Sequence, residues 1–136
     1  MNGGCQCGAV RYRIDGTPGP LYACHCTECR KQSASAFGLS LVVRRRDLTL
    51  TAGSPRTWTR PTDGGGTLDC RFCPTCGTRV WHEDGPEAEA LSLKAGSLDQ
   101  PPDLSAAIHI WTRSACPGVV IPDDASRFAG EPDEEG

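Results

Sequence analysis

Cys24-His25-Cys26-Thr27-Glu28-Cys29-Arg30-Lys31 places three thiols within six residues and two cations directly behind them. Thiols this close are hard to explain as packing and easy to explain as ligands of one soft or borderline cation such as Zn²⁺. Structural zinc is normally closed by four protein ligands, whereas catalytic zinc often keeps three and an open position. This stretch offers three. The reading turns on the fourth place, which another residue, a water or a substrate thiol could fill.

The remaining cysteines narrow the choice. Cys5-Gln6-Cys7-Gly8 is a C-x-C pair among glycines, and in a regular strand its two sulfurs would face the same side. Cys73-Pro74-Thr75-Cys76-Gly77 is a C-P-x-C-G knuckle in which Pro presets the turn and Gly permits the left-handed residue after it. The two pairs together read as one structural Cys₄ zinc site. A thioredoxin-like role for Cys73 and Cys76 would want a strand–helix–strand setting, and the flanking sequence does not suggest one. Cys24, Cys26 and Cys29 then form either a second structural site or an open zinc that accepts an exogenous thiol or water. Cys70, Cys116, His82 and His109 are candidates to close it. Cys70 is ambiguous because C-x-x-C-x-x-C from Cys70 to Cys76 could serve either site, and it could equally be a small buried apolar residue. His109, in an apolar strand, reads first as a core histidine, and Cys116 as an incidental thiol.

Around these motifs the chain reads as mainly β. Alternation at Val10, Tyr12 and Ile14 marks a half-buried strand, and Gly16 to Pro20 ends it. Ala36 to Val43 and Leu48 to Leu50 read as strands joined by a turn over Arg44 to Asp47. Thr57 to Arg60, Thr78 to His82, Leu91 to Ala95 and Ala107 to Trp111 are further strands, and Glu28 to Ser33 has room for little more than one helical turn. The expected architecture is small antiparallel hairpins built around metal knuckles. One domain over residues 1–130 is expected, followed by an acidic, disordered tail over 131–136.

The 136 residues are 38% hydrophobic and 6% aromatic, with 16 glycines and 11 prolines, so metal is expected to supplement a modest core. The net charge of −3 argues against a nucleic-acid partner. Arg44-Arg45-Arg46 is the one dense basic cluster and reads as a solvated strand end. No apolar run approaches the ~18 residues of a membrane span, and the N-terminus lacks signal-peptide character. Nine cysteines, an odd number, then read as reduced, metal-bound thiols in a cytoplasm.

Three ordered motifs carry a family resemblance. Gly3-Gly-Cys-x-Cys-Gly-Ala-Val-Arg-Tyr12, Cys24-His-Cys-x-x-Cys-Arg-Lys-x-Ser33 and Phe72-Cys-x-x-Cys-Gly-Thr78 resemble the glutathione-dependent formaldehyde-activating enzyme family, which also includes centromere protein V. His109-Ile-Trp and Ile121-Pro-Asp-Asp through Arg127-Phe128 are similar to its closing segment. Ala34 and Gly118 depart from the family pattern, which commonly has Gly and an aromatic there. The resemblance implies a tent-like set of small antiparallel sheets with two Zn²⁺ sites. Cys5, Cys7, Cys73 and Cys76 would hold the structural ion. Cys24, Cys26 and Cys29 match the site described as catalytic, where the ion is a candidate for lability. The implied activity is that of a carbon–sulfur lyase, adding glutathione as co-substrate to formaldehyde or another small aldehyde. Apart from the resemblance, Arg30 and Lys31 are candidates to anchor the carboxylates of such a thiol, the alternative being that both are simple exposed charges. The rival readings are a glutathione carrier without catalysis and a structural zinc module for protein partners.

Overall fold

The computed structural model describes residues 1–132, so Asp133 to Gly136 of the expected acidic tail lie outside the described residues. Glu131, the first residue of that tail, accepts a 2.8 Å hydrogen bond from the indole N–H of Trp111. The architecture is mainly β, with ten strands and one short helix among the described residues. The contacts gather into two compact units, one of residues 1–19 and 41–102, the other of residues 20–40 and the described residues from 103 onward.

The first unit holds two antiparallel arrangements. β1 (Asn2–Gly4) pairs with β2 (Arg11–Ile14), which pairs with β5 (Leu48–Ala52). The expected alternation is realised in β2, whose Tyr12 and Ile14 are buried while Arg13 is exposed. β6 (Arg56–Pro61), β7 (Thr67–Phe72), β8 (Arg79–Glu83) and β9 (Ala90–Lys94) form a meander in chain order. Val80, Leu91 and Leu93 from this meander are almost fully buried. The anticipated turn before β5 is a 3₁₀ turn over Arg45–Asp47.

Glu83 ends β8 with its side chain fully out of solvent, and three donors surround it. Arg71 reaches Oε1 at 2.7 Å, while Arg45 and the Trp81 indole reach Oε2 at 2.9 and 3.1 Å. A buried carboxylate is tolerable only when paired and hydrogen-bonded, and this one is both. Burial pushes its pKa up, but the bonds from Arg71, Trp81 and Arg45 outweigh burial and hold it below the ordinary carboxyl range.

In the second unit β3 (Leu21–Cys24) runs into α1 (Thr27–Ser33), and β10 (Ile108–Ile110) lies beside β3 in parallel. Antiparallel hairpins alone were expected here. Between Cys24 and Ile108 the chain runs through a long excursion, so no tight turn forces an antiparallel return. β4 (Gly38–Arg44) begins in this unit and ends in the first. No helix among the described residues is long and apolar enough to cross a membrane.

Glu83→Ala would leave two guanidinium groups beside an emptied, dry position and is expected to cost about 3 kcal/mol at neutral pH. Because the folded pKa of Glu83 is depressed, the stability it supplies is present above the unfolded carboxyl value and is lost as pH falls through the folded one. Urea melts should therefore show the gap between wild type and Glu83→Gln closing below about pH 4.

Candidate metal centres

Four sulfurs of the first unit come together from two turns far apart in the chain. Cys5, Cys7, Cys73 and Cys76 have ligand atoms all within 4.8 Å of one another. Cys5 Sγ lies 3.6 Å from Cys7 Sγ, and Cys7 Sγ 3.8 Å from Cys73 Sγ. Tetrahedral zinc with Zn–S bonds of about 2.3 Å places its sulfurs about 3.8 Å apart, so this donor set fits that ion without rearrangement.

The local backbone explains the fit. Cys5 follows the last residue of β1, and the chain turns at once: the amide of Gly8 bonds the carbonyl of Cys5, and that of Cys5 the carbonyl of Val10. Gly8 takes φ 81° to close the turn. The C-x-C pair thus sits in a tight turn, as its flanking glycines allow, and the turn folds Cys7 back where a strand would carry it onward. The second knuckle repeats the design. The amide of Gly77, at φ 83°, bonds the carbonyl of Cys73, and the amide of Cys73 bonds the carbonyl of Thr78.

N–H and O–H groups aim at these sulfurs. The Val10 amide donates to Cys5 Sγ at 3.2 Å and the Thr75 amide to Cys73 Sγ at 3.4 Å. Thr78 Oγ1 lies 3.3 Å from Cys76 Sγ and accepts from the Gln6 amide at 3.1 Å, linking the two knuckles. Cys76 is lowered to about 5, first by the Thr78 hydroxyl and then by the Thr78 and Cys7 amides. Burial pushes Cys5 up, yet the Val10 amide and the Cys73 and Cys7 side chains outweigh it and bring the thiol down. Cys7 is the counterpart at about 11: the Ala9 amide lowers it, but burial and the three neighbouring sulfurs outweigh that.

Cys24, Cys26 and Cys29 form the second group, again with sulfurs within 4.8 Å of one another. Cys24 is the last residue of β3, Cys26 is the N-cap of α1, and Cys29 lies in its first turn. The Cys29 amide donates to Cys26 Sγ at 3.3 Å, so a thiolate does the capping usually done by a hydroxyl or carboxylate. Cys26 is lowered to about 2, first by the Cys24 side chain, then by Cys29, with the Cys29 and Glu28 amides adding to this against burial. Cys24 is pushed far up by Cys26 and Cys29 and then by burial. Among the described residues, no other His, Cys, Asp or Glu joins this group.

The proposed fourth ligands are engaged elsewhere. His109 Nδ1 lies 2.9 Å from His25 Nε2, Cys116 reaches the carbonyl of Ala36, and His82 accepts from Arg79. Cys70 points its buried thiol toward the carbonyl of Leu68 and is not in the four-sulfur group either. Its spacing to Cys73 suggested a ligand, but β7 ends between them: Cys70 is on the strand and Cys73 in the knuckle. Arg30 and Lys31 lie on α1 itself, half-buried and exposed, and are in no ion pair among the described residues.

Sequence reasoning passed over His25. It is fully buried between Cys24 and Cys26 in sequence, stacked on His109 with centroids 5.2 Å apart and tilted against Phe37 at 5.0 Å. Burial, then His109, lowers its pKa, and burial, then Arg127, lowers that of His109. With the 3.0 Å bond from the His25 amide to the Ile110 carbonyl, the pair fixes the β3–α1 corner against β10. The signal available was only its position inside C-H-C. Ala34, the departure noted beside Ser33, caps α1 at φ 50°, a left-handed conformation that Gly adopts more easily.

The sequence profile of the glutathione-dependent formaldehyde-activating enzyme family matches residues 1–114. A Halomonas elongata protein described as "Putative glutathione-dependent formaldehyde-activating enzyme" is 26% identical over 144 aligned positions, covering 98% of this chain and 90% of its own length. A crystal structure of a Rhodobacter sphaeroides protein superposes with a TM-score of 0.59 at 22% identity, over 77% of this chain and 94% of that one, a likeness of fold.

Cys73→Ser is expected to lower the zinc bound from about two to about one equivalent per chain, measured by atomic absorption, and to drop the thermal midpoint by at least about 10 °C. Unchanged metal and midpoint would remove Cys73 from the structural site.

Proposed function

We propose, for a chain that belongs to the glutathione-dependent formaldehyde-activating enzyme family, that the Cys24–Cys26–Cys29 centre binds a glutathione-type thiol and adds it to formaldehyde or a similar small aldehyde. The observation that carries this reading is the contrast between the two sulfur groups, four donors in one and three in the other among the described residues. When bound there, Zn²⁺ supplies a fourth position that holds a thiol as its thiolate, and with three thiolates leaving a net charge of about −1 it orients sulfur more than it polarises a carbonyl.

The chain's own contribution is placement. Cys24 on a strand end, and Cys26 and Cys29 on the first turn of a helix, belong to elements whose backbone bonds fix them. His25 and His109 act as positioning residues, since their bond ties the segment carrying all three sulfurs to β10. Arg30 and Lys31 stand on the same helix and offer two cations to the two carboxylates of a glutathione-like molecule. The addition is redox-neutral. A sulfur–carbon bond forms, the carbonyl π pair becomes the lone pair of an alkoxide oxygen, and the proton lost by the thiol returns to that oxygen, giving a hydroxymethyl thioether. Holding thiol and aldehyde together is the chief source of acceleration.

Zinc-loaded protein should speed the appearance of the S-hydroxymethyl adduct, followed by ¹³C NMR of labelled formaldehyde with glutathione. Cys26→Ser should return the rate to the background reaction while one zinc equivalent stays bound. Tight glutathione binding without any acceleration would make the protein a carrier. No glutathione effect on either metal content or rate would leave a structural module and overturn the proposal.

A further inference from the structure

One face of the β6–β9 meander carries a row of side chains that the sulfur chemistry does not use. Trp58, Cys70, His82 and Ser92 stand directly opposite one another across the four strands. Residues two apart on a strand share a face, which adds Arg60 beside Trp58 and Lys94 beside Ser92. Cys70, His82 and Lys94 are buried, and Trp58 is half exposed. Arg79 reaches into the row, with its guanidinium carbon 5.3 Å from the centroid of the Trp58 ring and Nη1 3.1 Å from His82 Nε2.

His82 is the centre of this cluster. A guanidinium has no acceptor, so Nε2 must accept from Arg79 and the one ring proton sits on Nδ1. The neutral ring agrees with its surroundings: burial, then Lys94, Arg79 and Arg60, lower its pKa to about 2. The same three cations act on Cys70, where burial outweighs them and raises the thiol. Nδ1–H is then a donor with no protein acceptor among the described residues. It is not sealed in either, since the described side-chain atoms that are both dry and unbonded are His25 Nδ1 and Arg71 Nε. Ser92, across the β8–β9 ladder, adds a half-buried hydroxyl. Arg60 bonds the Pro61 carbonyl at 3.3 Å, and neither Arg60 nor Arg79 meets a carboxylate among the described residues. The nearby acids belong to the reverse face, where Asp69 stands opposite Glu83 and bonds Thr59, while Glu83 bonds Arg71 and Arg45.

Cations gathered around an unbonded N–H leave two demands unmet, counter-charge and an acceptor, and one oxyanion meets both. We propose that this face binds a phosphate group, seated at His82 Nδ1–H and the Ser92 hydroxyl, with Arg79, Arg60 and Lys94 supplying the counter-charge. Directly opposed residues keep their Cβ atoms about 5 Å apart, so one oxyanion spans His82 and Ser92. Phosphate brings about −1.5 to −2 of charge at pH 7 to a cluster of cations. Its tetrahedral oxygens can meet donors from β6, β8 and β9 together, whereas a carboxylate offers two oxygens in one plane. No zinc ligand takes part, so the site stands apart from the sulfur chemistry proposed above.

The test uses inorganic phosphate and glycerol 3-phosphate, titrated into the zinc-loaded full chain at constant ionic strength and followed by long-range ¹H–¹⁵N spectra of the histidine rings. Before addition, His82 should carry its proton on Nδ1. Phosphate should then move the Nδ1 resonance saturably and raise the thermal midpoint, while sodium chloride of equal ionic strength does neither. Arg79→Gln and Ser92→Ala, both at partly exposed positions, should each weaken binding ~10-fold with the amide spectrum otherwise unchanged. The ester binding at least as tightly as the free ion would support a phosphorylated small molecule as the ligand, and the reverse would support phosphate itself. Four outcomes overturn the proposal: a proton on Nε2 in the free protein, no Nδ1 shift with millimolar phosphate, binding that both variants leave untouched, or chloride reproducing the effect. Adduct formation with glutathione is measured separately, so either idea can fall without the other.

Discussion

Four sulfurs set the terms for the first unit. The Cys5–Gly8 turn and the Cys73–Gly77 turn are separated by most of the unit's sequence, yet the interval between Cys7 and Cys73 sulfurs is 3.8 Å. A chain with 6% aromatic content and few large apolar residues has limited means of enforcing such a closure by burial alone. Zinc bound by these four sulfurs would add directly to folding free energy, tying the end of β1 to the turn between β7 and β8. The hydrogen bonds around the knuckles, above all the Thr78 hydroxyl between Gln6 and Cys76, prepare the sulfurs for that ion rather than for one another.

The second sulfur group is built differently, and the difference has chemical content. The Cys₄ set is enclosed by two opposed turns, each presenting two sulfurs. The Cys₃ set comes from one continuous corner, the end of β3 and the start of α1, so its donors lie on one side. On the proposed reading, an external thiol would complete this set at that corner. The buried histidine pair behind the corner ties it to β10, and neither ring joins the three-sulfur group.

Much of this was legible in the sequence, for a definite reason. Metal knuckles are local, so C-x-C, C-x-C-x-x-C and C-P-x-C-G announce their ligands within a few residues, and the grouping of the two pairs follows from ligand count. Alternation at Tyr12 and Ile14 marked β2, and residues 57–60, 78–82 and 91–95 were read as the strands that became β6, β8 and β9, whereas β7 lay hidden beside the second cysteine motif. What was hidden depends on long-range placement. Whether Cys70 joined a metal rested on where β7 stopped, a matter of one or two residues. The parallel pairing of β10 with β3 has no local signature. The Arg71–Glu83–Arg45 network brings together three separate strands or turns, and His25 lacks any periodic signal of burial.

The central claim is that the Cys24–Cys26–Cys29 centre keeps one position for an external thiol. X-ray absorption at the zinc edge on protein loaded with two ions tests it most directly. With one Cys₄ and one Cys₃ centre the mean sulfur coordination should be about 3.5 per zinc, rising to about 4 when glutathione is added. A mean of about 4 before any thiol is supplied, unchanged afterward, would contradict the account.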